Sequence, residues 1–123
     1  MAEILVIDDD PGFRKLIRMM LEGEGHAVQA ASDGEEGVSF FAQHRPDLVI
    51  TDMIMPNVDG VETIGLLRGL DSTVPIIAVS GGSADVLRLA KEGGAVVTLA
   101  KPLNTPALLS ALIDVIGRSH RLN

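Results

Sequence analysis

The sequence predicts an α/β fold, a doubly wound parallel sheet of five strand–helix repeats in the order 2-1-3-4-5, on three observations. Short apolar runs rich in Val and Ile recur at roughly residues 3–7 (EILVI), 47–51 (DLVIT), 75–79 (PIIAV) and 96–100 (VVTLA), with a weaker one near 27–30 (AVQA). Runs of that length read as strands buried on both faces, the habit of parallel sheets. The segments between them carry helical spacing instead: Phe13, Leu16, Ile17, Met20 and Leu21 lay one apolar stripe along a helix. The two patterns alternate five times, and right-handed crossovers then leave few ways to wind the chain. In the order 2-1-3-4-5, strands 1 and 3 lie side by side where the winding reverses, and the crevice beyond their carboxyl ends is the expected binding place.

Each element carries its own punctuation. The first strand runs into Asp8, Asp9 and Asp10, and Asp10 followed by Pro11 reads as N-cap and first helical position. Gly23 and Gly25 fall where the first helix should stop. "SDGE" at 32–35 has capping-box spacing and opens the second helix. The third strand ends at Asp52, and Asp59 with Gly60 reads as the turn entering the third helix. The fourth strand ends at Ser80, Gly81 and Gly82, with Ser83 as the expected cap of the fourth helix; Gly93 and Gly94 should stop that helix. The fifth strand ends at Lys101 and Pro102, and Thr105 with Pro106 repeats the device at Asp10. The last helix, near 106–117, has Leu108, Ala111, Leu112 and Val115 on one stripe and Leu109, Ile113 and Ile116 on the next. That is more apolar surface than one sheet face requires, so a partner or homodimer contact is expected there.

Composition excludes several classes of function. The 123 residues fit one domain, 1–123, with no linker, low-complexity tract or sequence repeat. There is no cysteine, hence no disulfide framework and no thiolate metal site. The N-terminus has no basic region and no apolar run long enough to cross a bilayer, so a cytoplasmic protein with no membrane contact is expected. A formal charge of −7 repels a phosphate backbone, and no basic stripe with interleaved aromatics appears, so direct DNA binding is not expected. His26, His44 and His120 share no metal spacing, and Met19, Met20, Met53 and Met55 read as core or site packing. Gly23 and Gly25 lie between a helix and the next strand, the wrong order for a dinucleotide-binding turn.

The predicted topology brings chemistry to one crevice. Asp8 and Asp9 at the end of strand 1 and Asp52 at the end of strand 3 would meet there, and crowded carboxylates repel unless a cation joins them. Hard oxygen ligands favour magnesium, which keeps waters that a phosphate can replace. Ser80 adds a hydroxyl and Lys101 a compact positive charge suited to a phosphoryl oxygen or a carboxylate. This set describes phosphoryl transfer to a carboxylate, with Asp52 as acceptor and Ser80 and Lys101 stabilising charge on the moving group.

On these residues the chain resembles the receiver domain of bacterial two-component response regulators, a flavodoxin-like (βα)5 fold. The resemblance rests on "ILVIDDDPGFRKLI", "ASDGEEGV", "PDLVITDMIMPNVDGVE", "PIIAVSGG" and "AKEGGAVVTLAKPL", each in order at the expected strand end. It implies that Asp52 takes a phosphoryl group from a sensor histidine kinase or histidine phosphotransfer protein, with Mg2+ held by Asp8, Asp9, Asp52 and the backbone carbonyl of Ile54. It further implies a cis bond between Lys101 and Pro102, and a downstream protein target reached through the face of helix 4, strand 5 and helix 5.

The chain departs from the family pattern at Thr98, where many receivers carry a Tyr or Phe that turns inward with the strand 4 hydroxyl, so the aromatic half of that switch is missing. Ile54 and Gly82 flank the site without a polar side chain to position water, and slow hydrolysis of the aspartyl phosphate is expected. The chain is not expected to be an enzyme beyond catalysing its own phosphorylation and dephosphorylation. A magnesium-dependent phosphatase or phosphotransferase is the alternative, but haloacid-dehalogenase-like enzymes place a second acid two residues after the nucleophile, where this chain has Ile54. An unphosphorylated binding module is the other alternative, disfavoured by the intact Asp8, Asp9, Asp52 and Lys101. Only "RSHRLN" follows the last predicted helix, so the expectation is either a receiver acting through a partner or a piece of a longer regulator.

Overall fold

The computed structural model describes residues 2–55, 59–82 and 84–121, with side chains as far as residue 117. Five strands and five helices alternate: β1 (Glu3–Ile7), α1 (Pro11–Gly23), β2 (Ala27–Ala31), α2 (Gly34–His44), β3 (Leu48–Asp52), α3 (Gly60–Leu70), β4 (Ile76–Ser80), α4 (Ala84–Gly93), β5 (Val97–Ala100) and α5 (Thr105–Arg121). All pairings are parallel and the sheet order is β2-β1-β3-β4-β5, as predicted.

Two apolar layers hold the sheet. Leu5, Ile7, Val49, Ile76 and Ala78 point to one side, where Phe41 of α2, Ile64 and Leu67 of α3 and Ala90 of α4 cover them. Ile4, Val6, Leu48, Ile50, Ile77 and Val79 point to the other, against Ile17 and Leu21 of α1 and Leu108, Leu112 and Val115 of α5. Each fully buried Leu or Ile removes enough apolar surface from water to contribute about 1.5–3 kcal/mol. The expectation of strands buried on both faces holds for β3 and β4, whose residues are all buried. It fails at both edge strands: β2, where Ala27 and Gln29 are exposed, and β5, whose four residues are half-buried or exposed.

Several boundaries moved for local reasons. β3 starts at Leu48, and Asp47 just before it is tied to Glu3: its carboxylate accepts the Glu3 N–H at 2.8 Å and its own N–H donates to the Glu3 carbonyl. Asp10 caps α1 as predicted, accepting the Gly12 N–H at 2.9 Å. The α2 cap is Asp33 rather than Ser32: the Asp33 carboxylate accepts the Glu36 N–H at 2.8 Å, and Ser32 instead donates to the Glu36 side chain. The α5 cap is Asn104 rather than Thr105, its side-chain oxygen taking the Ala107 N–H, so Pro106 is one position deeper than in α1. The expected cap at Ser83 lies outside the described residues.

The two apolar stripes of α5 are also less free than predicted. Leu109, Ala111 and Ile116 pack against the core, and Ile113 alone among the residues predicted for these stripes stands 73% exposed. Met53 and Met55 are buried and Met20 half-buried, whereas Met19 is exposed and packs no core. Arg68, unremarked in the sequence, stitches three segments: its guanidinium donates to the carbonyls of Asp71, Val74 and Gly94. Gly94 allows this with a φ of +123° and no side chain, since a Cβ there would lie 2.7 Å from the Arg68 Nε.

Candidate functional site

The acidic tips meet where the topology requires. Ile7 pairs with Thr51 and Asp52 with Val79, so Asp8, the residue after β1, and Asp52, the last of β3, leave the sheet side by side. Asp8, Asp9 and Asp52 each offer a carboxylate oxygen, and the three oxygens lie within 4.8 Å of one another. Asp8 and Asp52 are buried and Asp9 is exposed, so the cluster is open on one side.

The two buried acids are held by backbone. The Asp8 Oδ1 accepts the Asp10 N–H at 2.9 Å, and the Arg14 guanidinium donates to the Asp8 carbonyl at 2.7 Å. The Asp52 Oδ1 accepts the Met53 N–H at 2.8 Å and lies 3.5 Å from the Ile54 nitrogen. Behind Asp52, the Gly60 N–H donates to the Met53 carbonyl, bringing the start of α3 against the strand end. Only glycine fits: a Cβ at residue 60 would stand 2.4 Å from the Met53 Cα and 2.7 Å from the Asp52 carbonyl oxygen.

Lys101, immediately after β5, closes the cluster. Its Nζ lies 3.0 Å from the Asp8 Oδ2 and 3.4 Å from the Asp52 Oδ2. Burial and the neighbouring Asp8 carboxylate push the Asp52 carboxyl above its ordinary range, more than Lys101 and two backbone N–H groups pull it down. Burial alone would lower the Lys101 ammonium, but its hydrogen bond to Asp8 and the two negative charges outweigh that and raise it. An ammonium cannot occupy all three carboxylates at once, and the open oxygens with a net negative charge suit a small hard dication.

The remaining predicted residues sit around this centre. Ser80, fully buried at the end of β4, accepts the Gly82 N–H on its Oγ at 2.9 Å, and its carbonyl accepts the Lys101 N–H. The Lys101–Pro102 bond is cis, as the resemblance implied. Ile54 is 57% exposed, with its Cδ1 so placed that a Cβ on Gly82 would come within 2.9 Å of it. His26 and His44 are spent on structure, His26 accepting the Ala2 N–H and His44 stacking on Phe40. Thr98 lies half-buried on β5 beside Ala78.

Sequence reasoning missed Phe13 and Arg14, reading Phe13 only as part of the apolar stripe of the first helix. The signal was available: Asp10 is the cap, so the first turn of α1 has to stand at the strand tips. A groove of about 250 Å³ lined by Glu3, Gln29, Phe40 and His44 opens at the other end of the strands, away from these acids.

Comparison with known proteins agrees with this geometry. The chain is 34% identical over 119 residues to Response regulator MprA of Mycobacterium tuberculosis, which covers 96% of this chain and 52% of that protein. It is 33% identical over 119 residues to Transcriptional regulatory protein GlrR of Escherichia coli, covering 96% and 27% respectively. The chain therefore spans between about a quarter and half of these curated relatives. Among solved structures, a response regulator receiver domain protein from Clostridium thermocellum superposes with a TM-score of 0.95 at 33% identity over the whole of both chains. The chemotaxis protein CheY4 of Vibrio cholerae does so with a TM-score of 0.86 at 30% identity, over 94% of this chain and 98% of that one. The family model for the response regulator receiver domain matches residues 4–113, and the chain belongs to that family, the phosphoacceptor domains of two-component signalling.

Proposed function

We propose that Asp52 is the phosphoacceptor of this receiver and that its donor is a phosphohistidine on a sensor histidine kinase or a histidine phosphotransfer protein. One observation carries the reading: from the ends of three strands distant in sequence, the carboxylates of Asp8, Asp9 and Asp52 come within 4.8 Å of one another, and the Lys101 ammonium pairs with two of them. In the transfer, an Asp52 carboxylate oxygen attacks phosphorus, an O–P bond forms, the P–N bond breaks, and its electron pair returns to the imidazole. Lys101 would pair with an oxygen of the transferred group, and the Ser80 hydroxyl would donate to another. Asp8, Asp9, Asp52 and the backbone carbonyl of Ile54 would hold Mg2+, which when bound offsets the charge of the carboxylates and the incoming phosphoryl oxygens.

The domain catalyses its own phosphorylation and dephosphorylation and no separate reaction. Hydrolysis returns inorganic phosphate and the free carboxylate, and it is slow, because Ile54 and Gly82 present hydrocarbon and a bare backbone where an attacking water would need a polar partner. The modified state is read by a downstream protein at the face formed by α4, β5 and α5, in the cytoplasm and without direct DNA contact from these residues. Thr98 replaces the aromatic of the usual switch, so the Ser80 movement has to reach that face through β5 itself.

Intact mass after incubation with acetyl phosphate and magnesium tests the assignment. Wild type is expected to gain one phosphoryl group and Asp52→Asn none. An unchanged gain in Asp52→Asn would move the acceptor elsewhere.

A further inference from the structure

The Lys101 ammonium has a third neighbour besides its two carboxylates. Its Nζ stands 4.2 Å from the centroid of the Phe13 ring, within the range where an aromatic face attracts a cation. Phe13 is in the first turn of α1, half-buried, with part of the ring against the core.

We propose that Phe13 is a positioning residue that keeps the Lys101 ammonium beside Asp52 when a divalent cation takes the carboxylate oxygens; the proposal rests on the phosphoacceptor reading above. The argument is one of competition. The Asp8 Oδ1 is engaged by the Asp10 N–H and the Asp52 Oδ1 by the Met53 N–H. Of these two buried carboxylates, the oxygens left for a cation are therefore the ones that Lys101 contacts, the Asp8 Oδ2 and the Asp52 Oδ2, while the exposed Asp9 adds an oxygen that Lys101 does not contact. A dication binding there weakens both ion pairs and repels the ammonium. Nothing in that exchange consumes the ring face, so it holds the ammonium where an incoming phosphoryl oxygen needs it. Without the ring, the flexible lysine stem is free to swing its charge into water.

This gives two effects of opposite sign. Phe13→Leu relieves repulsion at the metal, so Mg2+ binds more tightly, by about two- to fivefold, and it loosens Lys101, so phosphoryl uptake at saturating Mg2+ slows by about three- to tenfold. A ring that served only to pack α1 would, on removal, weaken both. Mg2+ affinity is read by calorimetry on the unmodified protein and uptake by intact-mass time courses with acetyl phosphate. Phe13→Tyr, which keeps a π face, should restore both values toward wild type.

A second measurement needs no variant that has to fold. The chain has three lysines, Lys15, Lys91 and Lys101, so 13C-lysine labelling gives a sparse spectrum. The Lys101 ε-methylene protons should be shifted upfield by the ring current, and should remain so after Mg2+ is added. Ordinary ε-methylene shifts, or loss of the upfield shift with Mg2+, overturn the proposal. So does a parallel weakening of metal binding and uptake in Phe13→Leu, while labelling at Asp52 in wild type leaves the acceptor assignment standing. Absence of labelling in wild type removes the acceptor assignment, and the role of Phe13 with it.

Discussion

The tips of β1 and β3 and the flank made by α4, β5 and α5 belong to one sheet but are built to different standards. At the tips, every residue of β3 is buried, Asp8 and Asp52 each spend one oxygen on a backbone N–H, and Gly60 presses α3 against Met53. Across the sheet, no residue of β5 is fully buried, α4 buries Ala90 alone among its described residues, and Leu89, Val96 and Ile113 face solvent. The difference teaches a division of labour. On the function proposed above, acceptor chemistry needs groups fixed to fractions of an ångström, whereas a surface that reported the modified state would need alternatives close in energy, and sparse burial supplies them. Lys101 joins the two regions, with its backbone on the flank and its ammonium in the site.

The contrast is broken most severely from behind Asp52. Gly60→Ala pushes a methyl into the Met53 and Asp52 backbone, which cannot yield as a flexible side chain would, and should cost about 1–3 kcal/mol in denaturant unfolding. Gly65 and Gly69 on the same helix have nothing within 4 Å of an added Cβ. Alanine at either should instead stabilise α3, by up to about 1 kcal/mol. If Gly60→Ala unfolds at the wild-type denaturant midpoint, the close approach behind Asp52 does not fix the strand end.

Acidity gives the next effect. The Asp52 carboxyl lies above its unfolded value, so the folded state holds that proton more tightly than the unfolded chain. Its contribution to stability is full below the unfolded value, near 3.8, and is lost as pH rises through the raised folded value. In chelator, Asp52→Asn should therefore melt higher than wild type at neutral pH, with the gap shrinking in acid. Magnesium should raise wild type more than the variant, because binding to the folded state alone stabilises it. Equal melting temperatures at pH 7 in chelator would show that Lys101 fully compensates the buried charge.

The smallest effects belong on the flank. Ile113→Ser and Leu89→Ser should each shift stability by less than about 0.5 kcal/mol, as exposed positions do. Amide hydrogen exchange should sharpen the same comparison, with β5 amides exchanging faster than those of β3. Protection of β5 equal to β3 would remove the distinction between a fixed site and a yielding flank.

Much of this was legible in the chain itself. Alternating apolar runs determine the strands and their parallel order, because burial on both faces demands continuous Val and Ile, and the positions of Asp8, Asp9, Asp52, Ser80 and Lys101 at strand ends follow from where those runs stop. Local chemistry alone also placed the Asp10 cap, since its partner is two residues away. It misplaced the caps of α2 and α5, where two polar residues stand side by side and backbone direction selects one. What the tertiary structure decided are contacts between residues far apart in sequence: Lys101 over the Phe13 ring, Arg68 reaching the Gly94 carbonyl, and Gly60 against Met53. A one-dimensional pattern records which faces are apolar, but the distance between two side chains on different elements depends on how helices seat on a twisted sheet, and only the folded molecule fixes that.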